Sequence, residues 1–117
     1  KNFLFAGMGY GIGYQVENLV YLELLRQGFD VYVGTIKEKE VDFVAIKNDR
    51  RIYLQATYVL ADEATIQREY APLKLIDDNY EKYIVSLDDL PLASQNGIRH
   101  IQVWQLAPIL KGDQTHF

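Results

Sequence analysis

The chain has 117 residues, 49% hydrophobic and 24% charged, a composition that fits one globular domain and excludes a disordered or collagen-like protein. Twelve basic and sixteen acidic residues give a formal net charge of −4, which opposes broad nonspecific binding to nucleic acid. No cysteine is present, so disulfides, thiolate zinc sites and cysteine nucleophiles are excluded together.

The first predicted element is a helix between Gly13 and Gly28. This segment is rich in helix-forming residues, contains no proline and closes on a glycine that suits a helix C-terminus. On a helical wheel Glu17 falls on the apolar side, between Tyr21 and Leu24. We therefore expect the Glu17 side chain to be at least half-buried.

Three strands are predicted next, because three segments are dense in β-branched and aromatic residues: Phe29–Lys37, Glu40–Lys47 and Arg51–Leu60. The pair Asn48 and Asp49 is typical of tight turns and predicts a hairpin between the second and third strands. Both of these strands are apolar on each face, which indicates a sheet covered on both sides.

The remaining elements are a second helix and two more strands. Asp62 can cap a helix over residues 61–73, with Pro72 marking its end. The fourth strand is predicted over Lys82–Asp89, and the fifth over residues 98–106. The order is α-β-β-β-α-β plus an added strand, a mixed α/β sheet flanked by helices. We expect residues 1–12 to lead from a missing upstream domain, residues 13–107 to form the domain, and residues 108–117 to form a flexible tail.

Histidine is scarce, with only His100 and His116, so Ser-His-Asp catalysis and three-histidine zinc sites are not expected. His100 is interpreted as a surface or edge residue and Trp104 as a core residue. No apolar run approaches the roughly 18 to 20 residues that a membrane span needs, and the first residues lack a signal-peptide cleavage site. We expect a cytoplasmic protein that does not contact the membrane.

The predicted hairpin brings polar side chains together. A two-residue turn makes Lys47 face Arg50, so Asp42 lies opposite Gln55 with Cβ atoms ~5 Å apart. Alternation along the strands then places four polar residues on one face: Glu40, Asp42, Gln55 and Thr57. An ionised aspartate in these apolar surroundings costs several kcal/mol unless it is paired, hydrogen-bonded or bound to a cation.

Two interpretations of this cluster stay open. In the first, Asp42 and Gln55 hydrogen-bond each other or the backbone. In the second, Glu17, Asp42 and Gln55 supply oxygen ligands to a divalent metal that activates water against a phosphodiester.

The same residues carry a family resemblance. A helix glutamate, an aspartate on the second strand and a polar pair two residues apart on the third strand resemble the PD-(D/E)XK nuclease superfamily, as does the element order. More closely, VENLVYLELLRQG, VYVG, EVDFVAIK and IYLQATY are similar to the C-terminal domain of unknown function of bacterial and archaeal AAA-type ATPases. The resemblance covers residues 13–89 and implies a restriction-endonuclease-like fold.

The resemblance also implies roles for individual residues. Glu17 matches the helix glutamate, Asp42 the metal-binding aspartate, Gln55 the second acidic residue and Thr57 the lysine that assists the attacking water. It therefore implies a degenerate catalytic motif of Asp42, Gln55 and Thr57, with Mg or Mn as the candidate metal held by Glu17, Asp42 and Gln55. A neutral threonine performs the task of the lysine poorly, which leaves open whether the chain is an enzyme.

The resulting expectation is an accessory domain, non-catalytic, that binds nucleic acid or a protein partner for an upstream AAA-type ATPase domain of the same protein. The alternatives are a Mg- or Mn-dependent DNA nuclease and a structural assembly domain that forms a homo-oligomer. For DNA the candidate contacts are Lys47, Arg50 and Arg51, near the hairpin end. The alternating glycines of GMGYGIG fit no nucleotide-binding motif, so no ATP site is expected in this chain.

Overall fold

The computed structural model of the chain describes residues 12–58, 63–88 and 97–112, with side chains from residue 15 onward. Its helices are α1 (Ile12–Arg26), α2 (Glu63–Lys74) and α3 (Leu106–Lys111). Its strands are β1 (Asp30–Ile36), β2 (Lys39–Lys47), β3 (Arg50–Ala56), β4 (Glu81–Ser86) and β5 (Ile98–Gln102). The predicted order α-β-β-β-α-β plus one strand is confirmed. None of the helices in this described part of the chain is long and apolar enough to cross a membrane.

The five strands form one mixed sheet in the order β1-β2-β3-β4-β5. The first three are antiparallel neighbours joined by tight turns, whereas β4 is parallel to β3 and β5 is parallel to β4. The predicted hairpin is confirmed: Lys47 pairs with Arg50, and Asn48 takes a left-handed backbone conformation with φ of 56° in the turn. The sequence analysis did not predict the second tight turn, in which Lys37 and Glu38 both have positive φ.

Both faces of the sheet are covered, as the apolar strands predicted. On one face α1 and α3 pack on a core that includes Val20, Leu54, Val85 and Ile109. On the other face α2 packs on a smaller core that includes Tyr70, Leu73 and Ile84. Helix α2 continues through Pro72 to Lys74, since a proline in the last turn removes only one helical hydrogen bond.

The end of the chain differs from the prediction. The fifth strand stops at Gln102, and a 3-10 turn (Val103–Gln105) leads directly into α3. The predicted flexible tail was wrong for residues 108–112, because Ile109 and Leu110 are buried against α1 and hold the helix to the sheet. Trp104 is 58% exposed rather than in the core, because the 3-10 turn ends the strand alternation just before it.

Strand β2 contains a β-bulge. Tyr32 pairs with Val44 but Gly34 pairs with Val41, so Asp42 and Phe43 together lie opposite one residue of β1. The extra residue reverses the alternation, and Val41 therefore joins Val44 on the α2 face. A glycine at position 34 is required for this packing, since a Cβ there would lie 2.8 Å from a methyl group of Val44.

Candidate functional site

The β2–β3 ladder opens at the bulge, and two side chains replace its backbone bonds. The ladder ends at the pair Phe43 and Leu54. Beyond it the Asp42 amide N–H donates to Gln55 Oε1 at 2.7 Å, and the Ala56 amide N–H donates to Asp42 Oδ2 at 2.9 Å. Asp42 and Gln55 therefore face each other as the sequence predicted, and each accepts a hydrogen bond from the backbone of the opposite strand.

Gln55 also ties the sheet to α2. Its side chain is almost fully buried, with 4% of the residue exposed, and its Nε2 donates to the carbonyl oxygen of Glu69 at 3.2 Å. One amide thus connects β2, β3 and α2. A buried amide with both ends hydrogen-bonded explains how a polar residue is accommodated beside the core.

Three carboxylates from three elements surround this point: Glu17 of α1, Asp42 of β2 and Glu69 of α2. Burial, and then repulsion from Asp42, raise the pKa of Glu17 to about 7. The same two causes raise the pKa of Glu69 to about 7. Burial raises the pKa of Asp42, although the hydrogen bond from Ala56 opposes this. The site therefore gathers negative charge in a partly buried place.

Glu69 was not predicted from the sequence. Its position on α2 is remote in sequence from the hairpin, and only the fold brings it near Glu17 and Asp42. Glu40 was predicted on the face of Asp42, and the bulge at Asp42 and Phe43 does not lie between these two residues of β2. Glu40 is exposed, and its effect on the cluster is electrostatic: its charge raises the pKa values of Glu17 and Asp42.

Thr57 follows the last residue of β3. Its amide N–H donates to the Val85 carbonyl oxygen at 3.0 Å, which extends the pairing of β3 with β4 by one residue. Its side chain is half-buried. A threonine hydroxyl here carries no charge and cannot supply the proton-transfer or charge-stabilising role of a lysine.

The cluster does not form a ready ligand set for a metal. Within residues 12–58, 63–88 and 97–112, no three acidic or histidine side chains are close enough together to hold an ion. Asp42 Oδ2 and Gln55 Oε1 each already accept a backbone N–H. Binding of magnesium or manganese by Glu17, Asp42 and Gln55 therefore stays a prediction.

A second polar cluster, which the sequence analysis did not predict, lies at the ends of β4 and β5. Ser86 and His100 are buried, with the Ser86 Oγ and the His100 Nε2 2.6 Å apart. The Ser86 hydroxyl also donates to Asp88 Oδ2 at 2.7 Å, and which atom donates in the Ser86–His100 bond depends on the tautomer of His100. Burial lowers the pKa of His100, and Asp88 opposes this. His100 was interpreted as a surface or edge residue: it lies on the edge strand β5, but it is buried rather than at the surface.

This arrangement is not a nucleophile and its base. A serine activated by histidine donates its proton to the ring nitrogen, whereas Ser86 donates to a carboxylate. Gln102 Nε2 also donates to the Asp88 carbonyl oxygen at 3.0 Å. The cluster therefore holds the chain that leaves β4 against β5. The alternation of Ile98, His100 and Gln102 was the available sequence signal.

The cations predicted to contact DNA lie at the opposite end of the hairpin. Lys47 is five residues from Asp42 along β2, a separation of roughly 17 Å. Arg50 binds both carboxylate oxygens of Glu81 and donates to the carbonyl oxygens of Ile109 and Leu110. Lys47 Nζ donates to the Gln27 carbonyl oxygen at 2.8 Å, and the Arg51 guanidinium stacks on Tyr80. The glycine-rich segment at residues 7–11 lies outside the described residues.

Comparison with known proteins gives one informative relative. The chain is 38% identical over 72 residues to an uncharacterized protein of Haemophilus influenzae. The matched region is 62% of this chain but only 17% of that protein, so the chain spans about a sixth of its relative's length. No family model matches the chain, and no solved structure matches it.

Proposed function

We propose that the chain is a non-catalytic, nuclease-like accessory domain that binds a protein partner, the ATPase portion of an AAA-type protein. The observation that carries the proposal is the use of the Asp42 and Gln55 side chains. Both are hydrogen-bonded to backbone amides of the hairpin, where a working nuclease would direct them at a metal and substrate.

The nuclease-like fold is supported by the arrangement of the elements. Three antiparallel strands follow a helix, and a second helix crosses to a strand parallel to β3. The counterparts of the nuclease motif residues, Glu17, Asp42, Gln55 and Thr57, come from α1, β2 and the end of β3, near the place where the β2–β3 ladder opens. The loss of catalysis is supported by Thr57, whose neutral hydroxyl replaces the superfamily's lysine.

A protein partner is supported by the outer face of α1. Three leucines on this helix, Leu19, Leu22 and Leu25, are each about half exposed. One turn separates neighbours along such a stripe, and water-exposed leucines in a row mark a contact surface more often than single exposed residues do. The H. influenzae relative, in which the matched region is a small part of a long protein, has the layout expected of a protein with an accessory domain.

A nucleic-acid partner is less well supported. The net charge is −4, and the guanidinium of Arg50 has four acceptors inside the fold. Phosphate contacts need cations that are available at the surface. Lys47 and Arg51 are the remaining candidates of the predicted DNA-binding set.

The proposal is tested by sedimentation velocity of the domain with the separately produced ATPase portion of its parent protein. We expect a complex that is abolished by Leu22→Asp combined with Leu25→Asp. Trp104→Asp is the matched control, because Trp104 is comparably exposed but belongs to the 3-10 turn after β5 rather than to α1. A parent protein without ATP-hydrolysing activity, or a complex unaffected by the leucine substitutions, would contradict the proposal.

The expected absence of nuclease activity and of DNA binding is tested separately. Plasmid DNA incubated with the domain and manganese should stay intact, and a fluorescent duplex should not bind at low salt. Cleavage that disappears in Asp42→Ala would establish the nuclease alternative. Duplex binding that disappears in Lys47→Ala with Arg51→Ala would establish the nucleic-acid alternative.

A further inference from the structure

The outer edge of β1 lacks the features that natural sheets use to prevent pairing with other strands. Such edges are commonly short or carry lysine or proline. The stretch from Val31 to Ile36 contains no charged residue and no proline, and Tyr32 and Val33 are 55% and 60% exposed. The opposite edge, β5, has five residues against seven and presents the exposed Arg99. Among the described strands, β1 is thus the edge best suited to accept another strand.

We propose that β1 pairs antiparallel with β1 of a second copy of this chain, around a two-fold axis at Val33. The sheets of the two copies then form one continuous sheet. Each contact between a residue of one copy and a residue of the other occurs a second time on the other side of the two-fold axis. The extra residue of the β-bulge lies in β2, so every second residue of β1 presents its amide and carbonyl groups at the free edge. This interface goes beyond the proposed function, since it uses the sheet edge rather than the leucines of α1.

Side-chain packing across the axis favours this register. Antiparallel pairing centred on Val33 places Tyr32 of one copy opposite Gly34 of the other, on the same face of the sheet. An aromatic ring that covers a glycine on the neighbouring strand shields the exposed backbone of that glycine. Gly34 is fixed by its close approach to Val44, so this strand always has a glycine opposite Tyr32 of the second copy.

Charge at the two ends of β1 favours a second copy over another partner. The strand begins with Asp30 and is followed by Lys37, and both residues are exposed. In the antiparallel register Asp30 lies opposite Ile36 and beside Lys37 of the other copy. Two Asp–Lys pairs result, one at each end, whereas parallel pairing would place like charges together. The strand is therefore complementary to itself.

Sedimentation equilibrium over a concentration series at low salt tests the interface. The wild-type chain should dimerise. Val33→Lys should weaken association by at least ~100-fold, because it places two ammonium groups at the axis and removes apolar contact. Trp104→Lys, which changes an equally exposed residue elsewhere, should leave the dimer intact. A wild-type chain that is monomeric at every concentration, or a Val33→Lys variant that dimerises normally, would overturn the proposal.

A charge-reversal cycle tests the register independently of any effect on folding. Asp30→Lys alone and Lys37→Asp alone should each weaken the dimer by about tenfold. The double variant should recover the wild-type constant, because the pairs are restored with opposite sign. Lys37 has φ of 49°, a conformation that aspartate tolerates. Failure of the double variant to recover would overturn the antiparallel register. Because these measurements use the chain alone, their outcome is independent of binding to an ATPase.

Discussion

The side-chain amide of Gln55 replaces backbone pairing at the point where β2 and β3 separate. A regular ladder would satisfy the Asp42 N–H with a carbonyl oxygen, but the bulge removes that partner. Gln55 supplies the acceptor and also donates to α2. Its polarity, which could have indicated metal ligation, has a structural explanation in these two bonds.

Gln55→Ala should lower the free energy of unfolding by about 2 kcal/mol, because it leaves the Asp42 N–H buried without a partner and opens a small cavity. Urea denaturation measures the change. The control is Gln67→Ala, since Gln67 is exposed on α2 and its substitution should change stability by less than about 0.5 kcal/mol. Equal stability of the two variants would show that the Gln55 bonds contribute little.

At the scale of whole elements, Arg50 connects three: β3, β4 and α3. Its guanidinium connects the start of β3 to Glu81 at the start of β4 and to the last turn of α3. Ile109 and Leu110 lie in the last turn of α3, where carbonyl oxygens lack a full set of helical partners, although the Ile109 carbonyl also accepts the Gly112 N–H. The arginine therefore caps the helix that closes one face of the sheet.

Arg50→Met should destabilise the fold by about 2 kcal/mol, a value reduced from that of a buried ion pair because Arg50 and Glu81 are partly exposed. Hydrogen exchange should also become faster at the amides of α3. Arg26→Met provides the comparison, because the Arg26–Glu23 pair lies at the surface and should contribute less than about 0.5 kcal/mol. If the α3 amides exchanged as slowly in Arg50→Met as in the wild type, the capping role of Arg50 would be contradicted.

The elements and their pairing were predictable to different degrees. Strand and helix positions followed from local composition, and the turn at Asn48 and Asp49 was sufficient to give the hairpin register. The bulge was not predictable, because it depends on the fit of Val41 and Val44 around Gly34. Helix α3 was missed for a related reason: a short helix is stabilised by burial of Ile109 and Leu110 rather than by its own sequence.

The site was predictable only where it depended on one hairpin. The contact of Asp42 with Gln55 followed from the turn. Glu69 and the pair of Ser86 with His100 depend on how α2 and β5 return to the hairpin, and no short-range pattern specifies that packing. The roles of Glu17, Asp42 and Gln55 as metal ligands and of Lys47, Arg50 and Arg51 as DNA contacts remain predictions.

At the scale of the whole molecule, acidic groups dominate, and three of them lie partly buried and near enough to influence one another's pKa values. Glu17 and Glu69 have pKa values raised to about 7, so the folded chain binds protons at neutral pH that the unfolded chain releases. Stability then falls as pH rises, since only in the intact structure are the charged forms partly buried and repelled by Asp42.

We expect the free energy of unfolding to fall between pH 4.5, the pKa of an unperturbed glutamate, and about pH 7, by on the order of 1 to 2 kcal/mol after allowance for partial exposure of both glutamates. The double variant Glu17→Gln with Glu69→Gln should be nearly insensitive to pH over this range and more stable than the wild type at the upper end. Urea titrations at several pH values measure both. A wild-type chain whose stability rises over this interval would show that the glutamates are fully ionised in the fold.

The bulge at Asp42 and Phe43 also affects how this chain should be compared with its relatives. A homologue that lacks the extra residue would align with a one-residue gap in β2. An ungapped alignment would then match Val41 with a residue on the opposite face of the sheet. Every position before Val41 would likewise be matched with a residue on the wrong face. Insertions and deletions at this point of β2 therefore carry more structural information than the identities of the residues around them.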